Sequence, residues 1–187
     1  MRPKDDEKKQ RIEDAVIHLI LEKGFDGLSM SKIAKAAGVC PATVYTYFDS
    51  KDSMLQEIYL QYSEDVYDYL LGQMQPELTG AQTLETLVRS YYNYIVEYRD
   101  VFSYVKQYSM VTSLMEECRS AKGSCYIMEI IRDLKQNRVI RDYSDEILEA
   151  ILFYPVQSIA TNPRDTRVEQ EQALDELIEI IQTALLL

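Results

Sequence analysis

Tryptophan is absent from the 187 residues, histidine occurs once and cysteine three times. A single histidine, His18, with no cysteine or carboxylate partner at ligand spacing, reads as an ordinary packed or surface side chain and not as a metal ligand. Three cysteines, odd in number and widely spread, make no disulfide framework and fit a reducing compartment. Six glycines and five prolines leave no low-complexity linker and supply neither a P-loop nor a glycine-rich dinucleotide turn. No run approaches the roughly 18 apolar residues that suggest a membrane span, and MRPKDDEKKQ is too charged for a secretory signal. The expectation is a cytoplasmic protein that is not an enzyme and needs no cofactor.

What is present is ordinary in amount and uneven in distribution. With 47% hydrophobic and 27% charged residues the chain is of soluble globular type. Its length suits one well-buried domain or a small domain fused to a larger one. The net charge is −11, yet residues 1–51 hold nine Lys/Arg against eight Asp/Glu, and the remainder eleven against twenty-three. Phosphate binding depends on local basic groups, so a near-neutral head on an acidic body remains compatible with DNA.

Residues 28–51, LSMSKIAKAAGVCPATVYTYFDSK, carry the densest local signals. Ser29 is a good N-cap for a helix through Ala37, Gly38 suits its left-handed end, and Pro41 fits the first position of a second helix. Ala34, Gly38 and Val44 provide a small contact residue, a corner and an apolar pin, the requirements of a helix-turn-helix. Ile33 and Val39 fill the space between the helices. Pro41, Ala42, Thr43, Tyr45, Thr46 and Tyr47 then fall on or near the outward side of the second helix, which in such motifs enters the major groove.

Residues 24–55, GFDGLSMSKIAKAAGVCPATVYTYFDSKDSML, closely resemble the DNA-binding segment of the TetR family of bacterial transcriptional regulators. Shared features are Gly plus an aromatic after helix one, the Ser cap, Ile-Ala, Ala-Gly-Val, Thr-x-Tyr-x-Tyr-Phe and a Ser-Lys start to helix four. The resemblance implies an all-α protein: a three-helix helix-turn-helix head, residues 1–50, joined by helix four to a helical ligand-binding and dimerisation body, residues 51–187. It implies a ligand-responsive regulator, usually a repressor, that binds a near-palindromic operator as a homodimer and is released by a small molecule. Carried over position by position, the DNA contacts are Ser29, Ser31, Cys40, Pro41, Ala42, Thr43, Tyr45, Thr46, Tyr47 and Lys51. Lys4, Lys8, Lys9 and Arg11 lie on the early turns of helix one, where family members approach the backbone. The chain departs from the family at Cys40-Pro41-Ala42, where a side-chain cap and a basic residue are usual. With no Arg, Asn or Gln on the recognition helix, the strongest bidentate base contacts are missing there. Two alternatives stay open: a helical interaction protein of the same fold without DNA binding, and a regulator sensing thiol oxidation through Cys40.

The body reads as long helices. Apolar spacing gives a first helix from about Asp5 to Lys23 and a fourth from Lys51, capped by Ser50 and broken at Gln75-Pro76. Thr79–Gln82 and Thr166–Glu169 are capping boxes. Fifteen tyrosines against four phenylalanines are a marked bias. Tyrosine packs through its ring and orients a ligand through its hydroxyl, so Tyr91, Tyr94, Tyr98, Phe102, Tyr108, Met115 and Tyr126 are the candidate ligand-binding set. Acidic residues among these rings favour a cationic or aromatic ligand, though an acyl chain fits the same inventory. Cys118 and Cys125, seven apart, read as core residues. Pro155 should kink the helix from Ser144 to Thr161. The resemblance implies that the last two helices pair with their copies in a second subunit, which makes Ile151, Leu152, Ile159, Leu174, Leu177, Ile178 and Ile181 the dimerisation candidates. Their apolar stripes allow it, and a monomer burying them internally would produce the same pattern.

Overall fold

The computed structural model of the chain describes residues 3–111 and 122–187. Among the described residues there are nine α-helices: α1 Pro3–Lys23, α2 Met30–Ala37, α3 Pro41–Tyr47, α4 Lys51–Leu71, α5 Gly80–Glu97, α6 Arg99–Val111, α7 Lys122–Gln136, α8 Asp145–Ala160 and α9 Arg167–Leu185. A short 3-10 turn, Phe25–Gly27, follows α1. The fold is all-α, with one isolated backbone bridge between Ile140 and Leu186. Two compact units divide the chain: one holds the residues up to Ser63 together with α6 from Asp100, the other Glu64–Arg99 together with α7, α8 and α9.

In the first unit α1 packs on α2 and α2 on α3. Ile12, Val16, Ile33, Val44, Met54 and Ile58 are fully buried and form its centre. Burying each such aliphatic side chain is worth about 1.5–3 kcal/mol, which gives helices this short a tertiary reason to form. Phe102 and Tyr104 of α6 join this core, and the Tyr104 hydroxyl donates to the Leu55 carbonyl at 2.8 Å. Tyr108 packs against both Phe25 and Tyr59.

In the second unit α5, α8 and α9 pack against one another. Their core is Leu84, Leu87, Val88 and Ile95 from α5, Leu148, Leu152 and Val156 from α8, and Leu174, Ile181 and Leu185 from α9. Polar groups inside it are paired: the Gln157 amide donates to the Tyr91 hydroxyl at 2.9 Å, and the Tyr92 hydroxyl donates to Gln170 at 3.2 Å. The expected capping boxes are formed, with Thr79 and Gln82, and Thr166 and Glu169, bonding reciprocally. Pro155 lies inside α8 as expected. Helix α4 stops at Leu71, before the expected break at Gln75-Pro76, where Gly72 follows the last turn. Cys125 is exposed, which corrects its reading as a core residue; Cys118 lies outside the described residues.

Candidate nucleic-acid interface

Helix α2 begins where its cap dictates. Ser29 is extended, and its hydroxyl accepts from the Lys32 N–H at 3.4 Å. Gly38 ends the helix at φ 67°, while its N–H bonds to the Lys35 carbonyl and that of Val39 to the Ala34 carbonyl. This paired closure reverses the chain within three residues and sets Cys40 as N-cap and Pro41 as the first residue of α3.

One face of α3 is held and the other is open. Val44 has no exposed surface, whereas Pro41, Ala42, Tyr45 and Thr46 are exposed and Thr43 and Tyr47 half-buried. The Thr46 hydroxyl donates back to the Ala42 carbonyl at 3.1 Å, which fixes its rotamer with its oxygen lone pairs still free to accept. Tyr45 is 55% exposed, so its ring and hydroxyl stand on the open face of the helix. Cys40 Sγ lies 3.1 Å from Thr43 Oγ1; that hydroxyl, followed by the first-turn amides, pulls the thiol below the ordinary cysteine range. Ser29 and Ser31 are exposed at the start of α2, and Lys51 is half-buried at the start of α4. There Ser50 caps the helix, its Oγ accepting from Ser53 N–H at 3.1 Å.

The basic groups of α1 behave differently from one another. Lys9, expected on the backbone-facing side, is turned inward: its ammonium lies 2.9 Å from Glu57, 3.5 Å from Glu13 and over the Phe48 ring. A phosphate contact by Lys9 would have to compete with these two carboxylates. Arg11 is exposed, and a β-carbon built on Gly38 would stand 4.0 Å from its Nη1, so a guanidinium sits beside the corner of the motif. Lys32 is partly committed as well, its ammonium bonding the Gly27 carbonyl at 2.7 Å.

The profile described as "Bacterial regulatory proteins, tetR family" matches residues 12–58, the segment just described. The biofilm operon icaADBC HTH-type negative transcriptional regulator IcaR of Staphylococcus aureus is 30% identical over 141 residues, covering 74% of this chain and 70% of its own length. This chain belongs to the TetR family of bacterial regulatory proteins. An uncharacterized HTH-type regulator of Haemophilus influenzae is 22% identical over 88% of this chain and 87% of its own length. Among solved structures, a TetR-family regulator from Haemophilus influenzae superposes with a TM-score of 0.85, covering 100% of both chains at 20% identity. One from Marinobacter aquaeolei gives 0.81, covering 96% of this chain and 97% of its own at 23% identity. These two share the fold. The protein is therefore a TetR-family transcriptional regulator, a DNA-binding family and not an enzyme family.

In this TetR-family chain the predicted ligand-binding residues divide between the two units. Phe102 and Tyr108 are buried in the first, and Tyr91 and Tyr94 are buried in the second. Tyr98 and Tyr126 also belong to the second unit and are exposed, while Met115 lies outside the described residues. The structure brings Tyr94 and Tyr98 together, with ring centroids 5.0 Å apart, and adds Tyr69, which was missing from the expected set. Tyr91 instead faces Phe153 and Gln157. Of the dimerisation candidates, Leu152, Leu174, Ile178 and Ile181 are buried in the chain's own packing, and Ile151, Ile159 and Leu177 are half-buried. The large apolar side chains left exposed on the last two helices are Ile147 and Tyr154 of α8 and Val168 and Ile180 of α9. No helix among the described residues is long and apolar enough to cross a membrane.

Proposed function

We propose that the protein acts in the cytoplasm as a homodimeric repressor. Residues 1–50 read a near-palindromic operator, and residues 51–187 hold a small-molecule effector and the dimer contact. The observation that carries this reading is α3 itself: a helix pinned by Val44 that leaves Ala42, Tyr45 and Thr46 uncovered. Two such helices related by a dimer axis would enter successive major grooves about 34–36 Å apart. Ala42 and Thr46 suit thymine methyl groups and base edges, Tyr45 and Tyr47 suit phosphates through their hydroxyls, and Lys51 suits the backbone. Pro41, Cys40 and Thr43 shape the entry of the helix, with Ser29 and Ser31 reaching from α2. Lacking Arg, Asn and Gln, α3 would read much of its site through DNA shape. The repressor sign is supported by the relative named a negative regulator.

Dimerisation would use the residues that stay accessible on the last two helices: Ile147, Ile151 and Tyr154 of α8, and Leu177, Ile180 and Ala184 of α9. They stand at three- and four-residue spacing on each helix, which forms a stripe. The effector would act by preferring the dimer whose heads are spaced wrongly for DNA, since only differential affinity moves such an equilibrium.

Selection of bound sequences from a random duplex pool at two salt concentrations tests the reading. A near-palindromic site whose affinity falls steeply with salt supports it. No enrichment by the folded dimer, freed of bound small molecules, would favour the interaction-protein alternative. The exposed Cys40 thiol, lowered by Thr43, favours a second reading in which oxidation modulates DNA affinity. Cys40→Ser should then abolish an oxidant response while keeping the reduced-state affinity.

A further inference from the structure

Within the second unit, the C-terminal part of α4 and the end of α5 present aromatic and acidic groups to each other. Asp65, Asp68 and Tyr69 occupy neighbouring positions on one helix, and Tyr94, Glu97 and Tyr98 do so on the other. The three tyrosines form a mutual cluster, with centroids 5.4 Å apart for Tyr69–Tyr94, 6.1 Å for Tyr69–Tyr98 and 5.0 Å for Tyr94–Tyr98. The Tyr69 hydroxyl donates to Glu97 at 3.4 Å, which sets a carboxylate at the edge of the rings. Tyr94 is buried and Tyr98 is 41% exposed, so the cluster opens to solvent at Tyr98.

The electrostatics of this corner are one-sided. Among the described residues no Lys or Arg pairs with Asp65, Asp68 or Glu97, although ion pairs are common elsewhere in the unit, as at Arg89–Asp175 and Lys135–Asp145. Partial burial, then the charges of Asp68 and Glu64, hold the Asp65 carboxyl above its ordinary value. The Glu97 carboxylate raises the Tyr98 phenol, and burial followed by Glu97 raises that of Tyr69. Asp65 thus faces the negative charges of Asp68 and Glu64, and its own charge reaches the Tyr98 phenol, beside rings whose faces are also negative. A positive charge placed there relieves both.

We propose that the Tyr69–Tyr94–Tyr98 cluster, with Asp65 and Glu97, is a binding site for an organic ammonium ion. Its apolar substituents lie on the tyrosine rings and its charge faces the two carboxylates. The site names the chemical class of effector for the ligand-regulated reading above and rests on it for its biological role, though not for its chemistry. A quaternary or alkylated ammonium fits better than a metal ion, because the rings supply apolar contact and no hard oxygen shell.

The test uses the full-length protein without DNA. Calorimetric titration with benzyltrimethylammonium and with its neutral carbon isostere, neopentylbenzene, separates charge recognition from simple apolar packing. The ammonium should bind more tightly than the isostere by about tenfold or more, and Tyr98→Ala and Asp65→Asn should each weaken it by a similar factor. Thermal unfolding checks that each variant is folded. Asp65→Asn should melt no lower than the unchanged protein, and Tyr98→Ala, which gives up its ring contacts with Tyr69 and Tyr94, somewhat lower but still in one cooperative transition. Equal binding of the isostere, or ammonium affinity untouched in both variants, overturns the proposal. Operator release is measured separately. Ammonium binding that leaves the operator occupied upholds the site and refutes its role as effector, while release by a neutral molecule with no ammonium binding refutes the site and upholds ligand regulation.

Discussion

The Tyr62 hydroxyl donates to the Glu13 carboxylate at 3.2 Å, joining α1 to α4 through a carboxylate that is only 2% exposed. Gln61 donates to the same oxygen at 3.2 Å, Lys9 lies 3.5 Å from the other, and Gln10 donates to the Tyr62 oxygen at 2.9 Å. A buried charge is tolerable when hydrogen-bonded and paired on this scale, and costly once any partner is removed. Tyr62→Phe should therefore destabilise the protein by about 1.5–3 kcal/mol in denaturant unfolding. An unchanged midpoint would show that the bond carries no net stability.

The same carboxylate makes a pH prediction of unusual sign. Burial, opposed by Lys9 and the hydrogen bonds, raises the Glu13 pKa above its ordinary 4.5. The folded state then binds the proton more tightly than the unfolded chain. The stabilisation is complete below 4.5 and is lost as pH rises through the folded value. Glu13→Gln removes this contribution. Relative to that variant, the unchanged protein should lose stability as pH rises from 4.5, and the difference should level off above the raised value. A difference that grows in the opposite direction would mean that the Lys9 pairing outweighs burial.

Two glycines should fail for different reasons. Gly38 stands at φ 67° with nothing but the Arg11 guanidinium near a would-be β-carbon, so Gly38→Ala costs only the left-handed backbone, about 1–2 kcal/mol. At Gly80 no positive φ is involved, but a β-carbon would run into Val139 Cγ1, so Gly80→Ala costs overpacking, about 1–3 kcal/mol. Gly38→Asn, which tolerates the left-handed region, should recover much of the first loss. No replacement larger than glycine should recover the second. Urea unfolding of the three variants decides both.

The helix-turn-helix was legible because its rules are local. A serine cap, a left-handed glycine, an N1 proline and a pinned Val44 each act within a few residues, and the capping boxes at Thr79 and Thr166 are read the same way. What could not be read depends on partners far along the chain. Lys9 looks like a surface cation until Glu57, 48 residues away, is set beside it. Apolar spacing shows that Ile147 and Leu152 both belong to α8, yet not that the first is exposed while the second is fully buried on a helix that packs against α5 and α9. The tyrosine-rich stretch read as one cluster, but the turn at Tyr98 between α5 and α6 sends its two halves into different units. The bond from Arg141 N–H to the Leu185 carbonyl, which ties the end of α9 to the loop before α8, has no local signal at all.

DNA contacts should separate by type. Lys51→Ala should weaken binding almost uniformly across operator variants and reduce the slope of log affinity against log salt by about 1, as expected of a phosphate contact. Thr46→Ala should instead relax preference at particular base pairs, with a loss of about 1–3 kcal/mol confined to the preferred site. Fluorescence anisotropy with the selected operator and point-substituted versions, at several salt concentrations, resolves the two. A salt slope unmoved by Lys51→Ala would remove that residue from the interface.

The last two helices permit a test in which core and contact residues give opposite results. Ile180 is 64% exposed and one turn from the half-buried Leu177, whereas Leu174 on the same helix is buried against the chain's own core. Ile180→Glu places a charge on the proposed dimer stripe without removing anything from the core. It should yield a folded species of half the mass in sedimentation equilibrium, with operator affinity lowered because two half-sites are no longer bound together. Leu174→Ala should leave association at saturating concentration intact but cost about 2–5 kcal/mol of stability by opening a cavity. If Ile180→Glu remains dimeric while still folded, the contact uses another face, and the exposed Ile147 and Tyr154 of α8 become the next positions to charge.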